Sequence, residues 1–183
     1  ERSGAKYIVL TSKHHDGFTL WPNKEANKTW GFPWNAVDAG PHRDLLGDLF
    51  KAVRKTSVRA GMYYSLYGWF NPLWLSNKES YVNQHVWPQM KELINTYQPD
   101  VFWTDGDWDA SDSVWKSKEF LTWLYNESVV KDKIIVNDRW GAGFFYRLAA
   151  FRFLAFQFWV LRRLQPVLDD TRVHLAQYLL QIQ

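Results

Sequence analysis

The sequence of 183 residues contains no cysteine, which excludes a disulfide framework and any thiolate metal site and leaves the redox compartment open. No Gly-rich loop follows any of its hydrophobic runs, so the phosphate cradle of a nucleotide-binding sheet is missing. Neither sign of charge dominates. The 22 basic and 19 acidic residues leave a net charge of +3, and the basic ones are scattered rather than gathered in a stripe, which argues against nucleic acid as a partner. No apolar run is long enough to span a bilayer. FLAFQFWVL (153–161) is too short and is flanked by Arg152 and Arg162. The chain opens ERSGAKYIVL, without an initiator Met or a signal-peptide pattern. It reads as an interior start, so any leader would lie outside it.

Aromatic side chains, in contrast, are abundant: they make up 18% of the residues and include 12 Trp. Indole faces stack on the apolar faces of sugar rings, so this composition suits a carbohydrate-handling protein as well as a large aromatic core. The 46% hydrophobic content is enough for a packed domain. Two N-x-[ST] sequons, Asn27-Lys28-Thr29 and Asn126-Glu127-Ser128, are glycosylation acceptors if the chain enters the secretory pathway.

The hydrophobic periodicity alternates. Lys6–Ser12 (KYIVLTS) reads as a buried strand, and Arg43–Val53 carries Leu45, Leu46, Leu49 and Val53 at helical spacing. Arg59–Tyr67 is a second strand, Met90–Tyr97 a helix that Pro88 starts or kinks, and Asp100–Thr104 a third strand. Val114–Asn126 is a further helix and Lys133–Asp138 a fourth strand. Such alternation predicts parallel strands joined by helical crossovers, in an open doubly wound sheet or a (β/α) barrel. All four strands end in residues capable of chemistry: KHHDGF, YYSLYGWF, TDGDWD and NDRWG. In a barrel that one face carries the active site, and this favours a barrel with a sugar-like substrate there.

Within this set the residues leave alternatives open. Adjacent His14 and His15 on an extended backbone point to opposite sides. They could cap the strand, serve a site, or join Asp105 and Asp138 as metal ligands. Asp105 could be a nucleophile, a general base, a metal ligand or a loop cap, and the following Gly106 makes a turn pair. Asp107 and Asp109 read as solvated or turn-forming. Arg139 beside Asp138 favours an ionised acid and can bind polyol hydroxyls.

The segments KYIVLTSKHHDGFTLW, VDAGPHRDLLGDL, GMYYSLYGWFNPL, YQPDVFWTDGDW and NDRWG, in this order, closely resemble the α-L-fucosidases of lysosomal and secreted type, a family of retaining glycoside hydrolases. The resemblance runs from about Ala5 to Gly141. It implies part of a (β/α)8 TIM-like barrel, about four βα units, that removes terminal α-L-fucose from glycans or glycolipids without a metal or other cofactor. It further implies Asp105 as the nucleophile, and His14, His15, Tyr64, Trp103 and Arg139 as fucose-binding residues, with Tyr63 taking the place of Tyr64 if the register slips. A lysosomal or secreted location is implied too. Departures from the family pattern are Gly68 before Trp69, where relatives often have an acidic residue, and the expected absence of two preceding barrel strands. The segment carrying the acid/base carboxylate is also expected to be absent. On this reading residues 1–141 are a partial catalytic barrel. Residues 142–183 form an apolar helical tail of different composition, in which no Gly follows Gly143. Open sheet edges would make self-association plausible. The other readings are a non-catalytic fucose-binding module and a truncated product without function.

Overall fold

The computed structural model describes residues 2–142. The alternation in the sequence becomes four parallel strands: β1 (Tyr7–Lys13), β2 (Arg59–Ser65), β3 (Val101–Asp105) and β4 (Ile135–Val136), paired in the order β1-β2-β3-β4. Between β1 and β2 run α1 (Lys24–Trp30) and α2 (Leu45–Val53). Between β2 and β3 run α3 (Pro72–Ser76), α4 (Lys78–Tyr81), a π-helical turn (Val82–Val86) and α5 (Trp87–Tyr97). The connection from β3 to β4 holds α6 (Asp112–Trp115) and α7 (Ser117–Asn126). This is an α/β architecture on a parallel sheet. No described helix is long and apolar enough to cross a membrane. The helical tail expected over 142–183 lies, past Ala142, outside the described residues.

Strand alternation sorts the side chains. Ala60, Met62, Tyr64, Phe102, Thr104 and Val136 are buried on the helix-covered side, where Phe102 meets Phe120 of α7 and the Tyr64 hydroxyl donates to Gln89 of α5. Tyr63, Trp103 and Asp105, one position out of phase, face the other way. The register fixes their neighbours, Tyr63 beside Trp103 and Ser65 beside Asp105.

Helix α2 starts at Leu45 rather than Arg43, because Asp44 caps it by accepting from the Gly47 amide at 2.8 Å. Leu46, Phe50 and Val53 turn inward at helical spacing, while Leu45 and Leu49 of the expected apolar face are only half-buried. Helix α5 begins at Trp87 rather than Met90 and continues without a break from the π-helical turn, where the Trp87 amide donates five residues back to the Val82 carbonyl just ahead of Pro88, which has no amide proton to give. It ends where Gln98 enters the left-handed region at φ +46 ahead of Pro99. The helix predicted over Val114–Asn126 is two helices, because Lys116 also lies in that region at φ +53 and Ser117 turns its hydroxyl to the Trp140 carbonyl. The short helices α1, α3 and α4 show no periodicity, since one or two turns cannot repeat a face. Instead Asn71 and Asn77 side chains accept from Leu73 and Ser80 amides and start α3 and α4.

Strand β4 contains two paired residues, not the six of Lys133–Asp138. Past Val136 the Asn137 side chain takes over the ladder. Its Oδ1 accepts from the Thr104 amide at 3.0 Å and its Nδ2 donates to the Thr104 carbonyl at 2.7 Å. A side-chain amide has the donor and acceptor of a peptide unit. The β3 edge is thus satisfied while the backbone of Asp138 and Arg139 is released to turn across the strand end.

Candidate active site

Asp105 is the last residue of β3, and each carboxylate oxygen has its own donor. The Tyr63 hydroxyl donates to Oδ2 at 2.9 Å and Arg139 Nη1 donates to Oδ1 at 2.7 Å. Burial by itself raises the pKa of this acid. The Tyr63 hydroxyl, the Gly106 amide and the Arg139 guanidinium together outweigh that and hold it below the usual carboxylate range. Arg139 is held in turn by its carbonyl, which accepts from Thr104 Oγ1 at 2.6 Å. Burial and the adjacent carboxylate keep the Tyr63 phenol protonated, far above its ordinary range.

Tyr64, expected beside the nucleophile, is fully buried on the opposite side of the sheet and bonds Gln89 at 2.7 Å. Tyr63 occupies the place expected for Tyr64, because side chains alternate along β2 and only odd-numbered positions share the Asp105 face. His14 and His15 also depart from expectation: their rings lie 4.0 Å apart, on one side. The pairing of β1 is already irregular between Thr11 and Lys13, and the Gly17 amide closes a turn onto the His14 carbonyl, so strand alternation has ended. His14 is exposed and stacks on Tyr63, centroids 5.7 Å apart and planes 12° apart.

His15 is buried, with Nδ1 2.6 Å from Ser65 Oγ. That hydroxyl donates its proton to the Tyr67 carbonyl at 2.9 Å, so it must accept from His15, which places the imidazole proton on Nδ1 and leaves Nε2 an acceptor. Burial first, then the neighbouring His14, lowers the His15 pKa and favours this neutral form.

Gly106 has φ +69, and a Cβ there would lie 2.8 Å from Ser65 Oγ and 3.2 Å from His15 Cε1. The glycine of the Asp-Gly pair is required by this close approach as well as by the turn. At Gly68 a Cβ would lie 2.6 Å from the Tyr81 hydroxyl oxygen, which is fixed by donating to the Leu66 carbonyl at 3.0 Å. This accounts for a glycine at this position.

Trp103 lies on the Asp105 face and is 40% exposed. Asp107 is structural: its Oδ2 accepts from the Gly141 amide at 2.9 Å and its carbonyl from Trp115 Nε1 at 2.9 Å. Asp109 pairs with Lys78 at 3.3 Å on the surface, and Asp138 is exposed. The three closely spaced carboxylates therefore separate, and one of them belongs to the site. Among the described residues no group of three or more His, Asp or Glu side chains is placed to hold a metal. Ser65, Asn137 and Lys13 carry no sequence signal of their own. Lys13 is fully buried, its ammonium 4.2 Å from the Tyr64 ring centre, with no hydrogen-bond acceptor.

An ionised carboxylate held by a phenol and an arginine at the end of a parallel strand, with two imidazoles beside it, can attack an electrophilic carbon next to several hydroxyls. The sequence model described as "Alpha-L-fucosidase" matches residues 1–157. The chain belongs to the α-L-fucosidase family. The match carries the family likeness past Gly141. Tissue α-L-fucosidase of Rattus norvegicus is 51% identical over 147 residues, covering 77% of this chain and 31% of that one. The Thermotoga maritima α-fucosidase solved in complex with fucose is 39% identical with a TM-score of 0.58, over 78% of this chain and 34% of that chain. A variant α-L-fucosidase in complex with Fuca(1,6)GlcNAc is 25% identical with a TM-score of 0.62, over 75% and 48%. The chain thus spans about a third of the length of the tissue enzyme and of the Thermotoga maritima structure, and about half of the variant's.

Proposed function

We propose that this chain is the nucleophile-bearing part of a retaining α-L-fucosidase, acting on terminal α-L-fucose of glycans or glycolipids. The observation that carries the reading is the doubly held, ionised Asp105. A carboxylate nucleophile must be charged, and the pair of donors keeps it so. Its Oδ atom would bond to the anomeric carbon as the glycosidic oxygen leaves, giving a glycosyl-enzyme that water then hydrolyses. Arg139 and Tyr63 orient the carboxylate. His14 and His15 Nε2 accept hydroxyl protons of the sugar, and the exposed Trp103 face lies beneath it.

The strand order and the polar strand ends support a piece of a (β/α)8 barrel over residues 1–141. Residues 142–183 are read as a tail of separate character, overlapping the family match up to residue 157. A lysosomal or secreted location fits the tissue enzymes it resembles. Of the two sequons, Asn126 is exposed at the end of α7, its Nδ2 donating to the Thr122 carbonyl at 2.8 Å. The Asn27 amide is half-buried, donating to Asp38 at 2.7 Å and accepting from Trp34 and Asn35. Glycosylation is proposed at both, with Asn126 the more accessible.

A fluorinated fucosyl donor with a good leaving group tests the reading, because it traps a covalent intermediate without an acid catalyst. Peptide mass spectrometry is expected to find the fucosyl adduct on Asp105 and none in Asp105→Asn. A trapped adduct elsewhere, or none in the folded wild-type chain, refutes it. If fucose binds equally to both proteins and no adduct forms, the chain is a fucose-binding module instead.

A further inference from the structure

We infer that Trp69 and Trp108, on the loops following β2 and β3, form a stacking platform for the sugar to which the fucose is attached. The inference rests on the proposed reading of Asp105, and extends it to the leaving side of the substrate.

The two indoles are 46% and 53% exposed. Both lie against His15, with ring centres 5.4 Å and 5.5 Å away. His15 in turn borders Asp105 through Ser65 and Gly106. A tryptophan side chain is among the largest sources of burial free energy, and single exposed aromatics need no explanation, but two that share one polar neighbour, His15, mark a place for a ligand. Neither ring hangs from a loose loop. The Trp69 amide donates to the His15 carbonyl at 3.0 Å. Asp107, beside Trp108, is fixed at both its carbonyl and its carboxylate.

The division of chemistry follows. Charged and hydrogen-bonding groups gather at Asp105, where a polyhydroxylated ring must be oriented to within a fraction of an ångström. The two indoles, one step outward past His15, offer flat apolar faces. Such faces suit the C–H face of a pyranose and are tolerant of which hydroxyls it carries, which fits a leaving sugar that can vary while the fucose cannot. Trp108 meets His15 edge to face, with planes 85° apart, and more than half of the Trp108 residue is left exposed.

Calorimetric titration of the whole chain with L-fucose and with Fuca(1,6)GlcNAc tests this. The disaccharide is expected to bind about tenfold more tightly than fucose, as two stacking contacts would give. Trp69→Ala and Trp108→Ala should each remove most of that advantage and leave fucose affinity within about twofold, while Trp69→Phe should keep part of it. Equal binding of the two sugars by wild type, or an advantage that survives both alanine variants, overturns the platform. So does a marked loss of thermal stability in both alanine variants, which would show rings packed against protein. Disaccharide binding without fucose binding, abolished in the variants, would uphold the platform and sink the reading of the Asp105 pocket. Binding of neither sugar overturns both.

Discussion

Two donors of different kinds hold Asp105, and they make separable predictions. Tyr63→Phe deletes one hydrogen bond to the carboxylate and should allow its pKa to rise. A lowered carboxylate pKa contributes stability and nucleophilicity that are present above the ordinary carboxylate range and are lost as pH falls through the native value. Trapping by a fluorinated fucoside, followed against pH, should therefore lose its acid limb at higher pH in Tyr63→Phe than in wild type. Tyr64→Phe should leave that profile unchanged and cost about 1 kcal/mol of stability through the lost bond to Gln89. Identical profiles for Tyr63→Phe and wild type would mean that Tyr63 does not tune the acid.

Lys13 is the other residue whose environment decides its behaviour. Burial lowers its pKa from 10.5 to about 7, outweighing the Asp16 charge, which acts the other way. The unfolded chain then binds a proton that the native chain resists throughout that interval. Stability is greatest above pH 10.5, declines as pH falls toward about 7, and levels off below it. Lys13→Met should flatten this dependence and raise stability near neutral pH by about 1–3 kcal/mol, as removal of a buried unpaired charge does. Urea denaturation at neutral and alkaline pH measures both effects.

Among the elements, the truncated β4 has the clearest consequence. Asn137 completes the ladder with its side chain and so lets Arg139 reach Asp105. Asn137→Ala leaves the Thr104 amide and carbonyl without those partners. It should cost about 1–3 kcal/mol and slow trapping at Asp105, since the arginine loses its support. Loss of stability with unaltered trapping would separate the strand from the site. At the end of α5, Gln98 holds a left-handed conformation that glycine adopts without strain. Gln98→Gly should raise the melting temperature slightly, by a stabilisation of up to about 1 kcal/mol.

The described part of the whole molecule is a sheet of four parallel strands with helices on one side. The other face carries Tyr7 and Trp103, 55% and 40% exposed. Its edges are β1 and β4, and unpaired parallel edges invite further pairing. Sedimentation should show concentration-dependent self-association of the chain, and a monomer at all concentrations would mean that these surfaces are covered. General acid help is worth roughly 10²–10⁴ in rate. Asp107 and Asp109 are committed to structural and surface contacts. On the proposed reading neither of these two acids can protonate the leaving oxygen, and a fucosyl fluoride, whose leaving group needs no proton, should be consumed faster than a natural fucosylated glycan.

The alternation of β-branched runs and helical spacing in the sequence was sufficient to determine the parallel α/β arrangement, because burial of alternate faces leaves few other solutions. It also marked Asp105, Arg139 and the two histidines, since all stand where strands end. The tertiary structure alone decided which tyrosine serves the carboxylate, which depends on the phase of β2. It decided too that both histidines lie on one side, because β1 ends before them. Asn137 as a side-chain strand and Lys13 as a buried ammonium were equally beyond the sequence. Both depend on contacts between elements far apart in the chain, and such contacts have no local pattern to betray them.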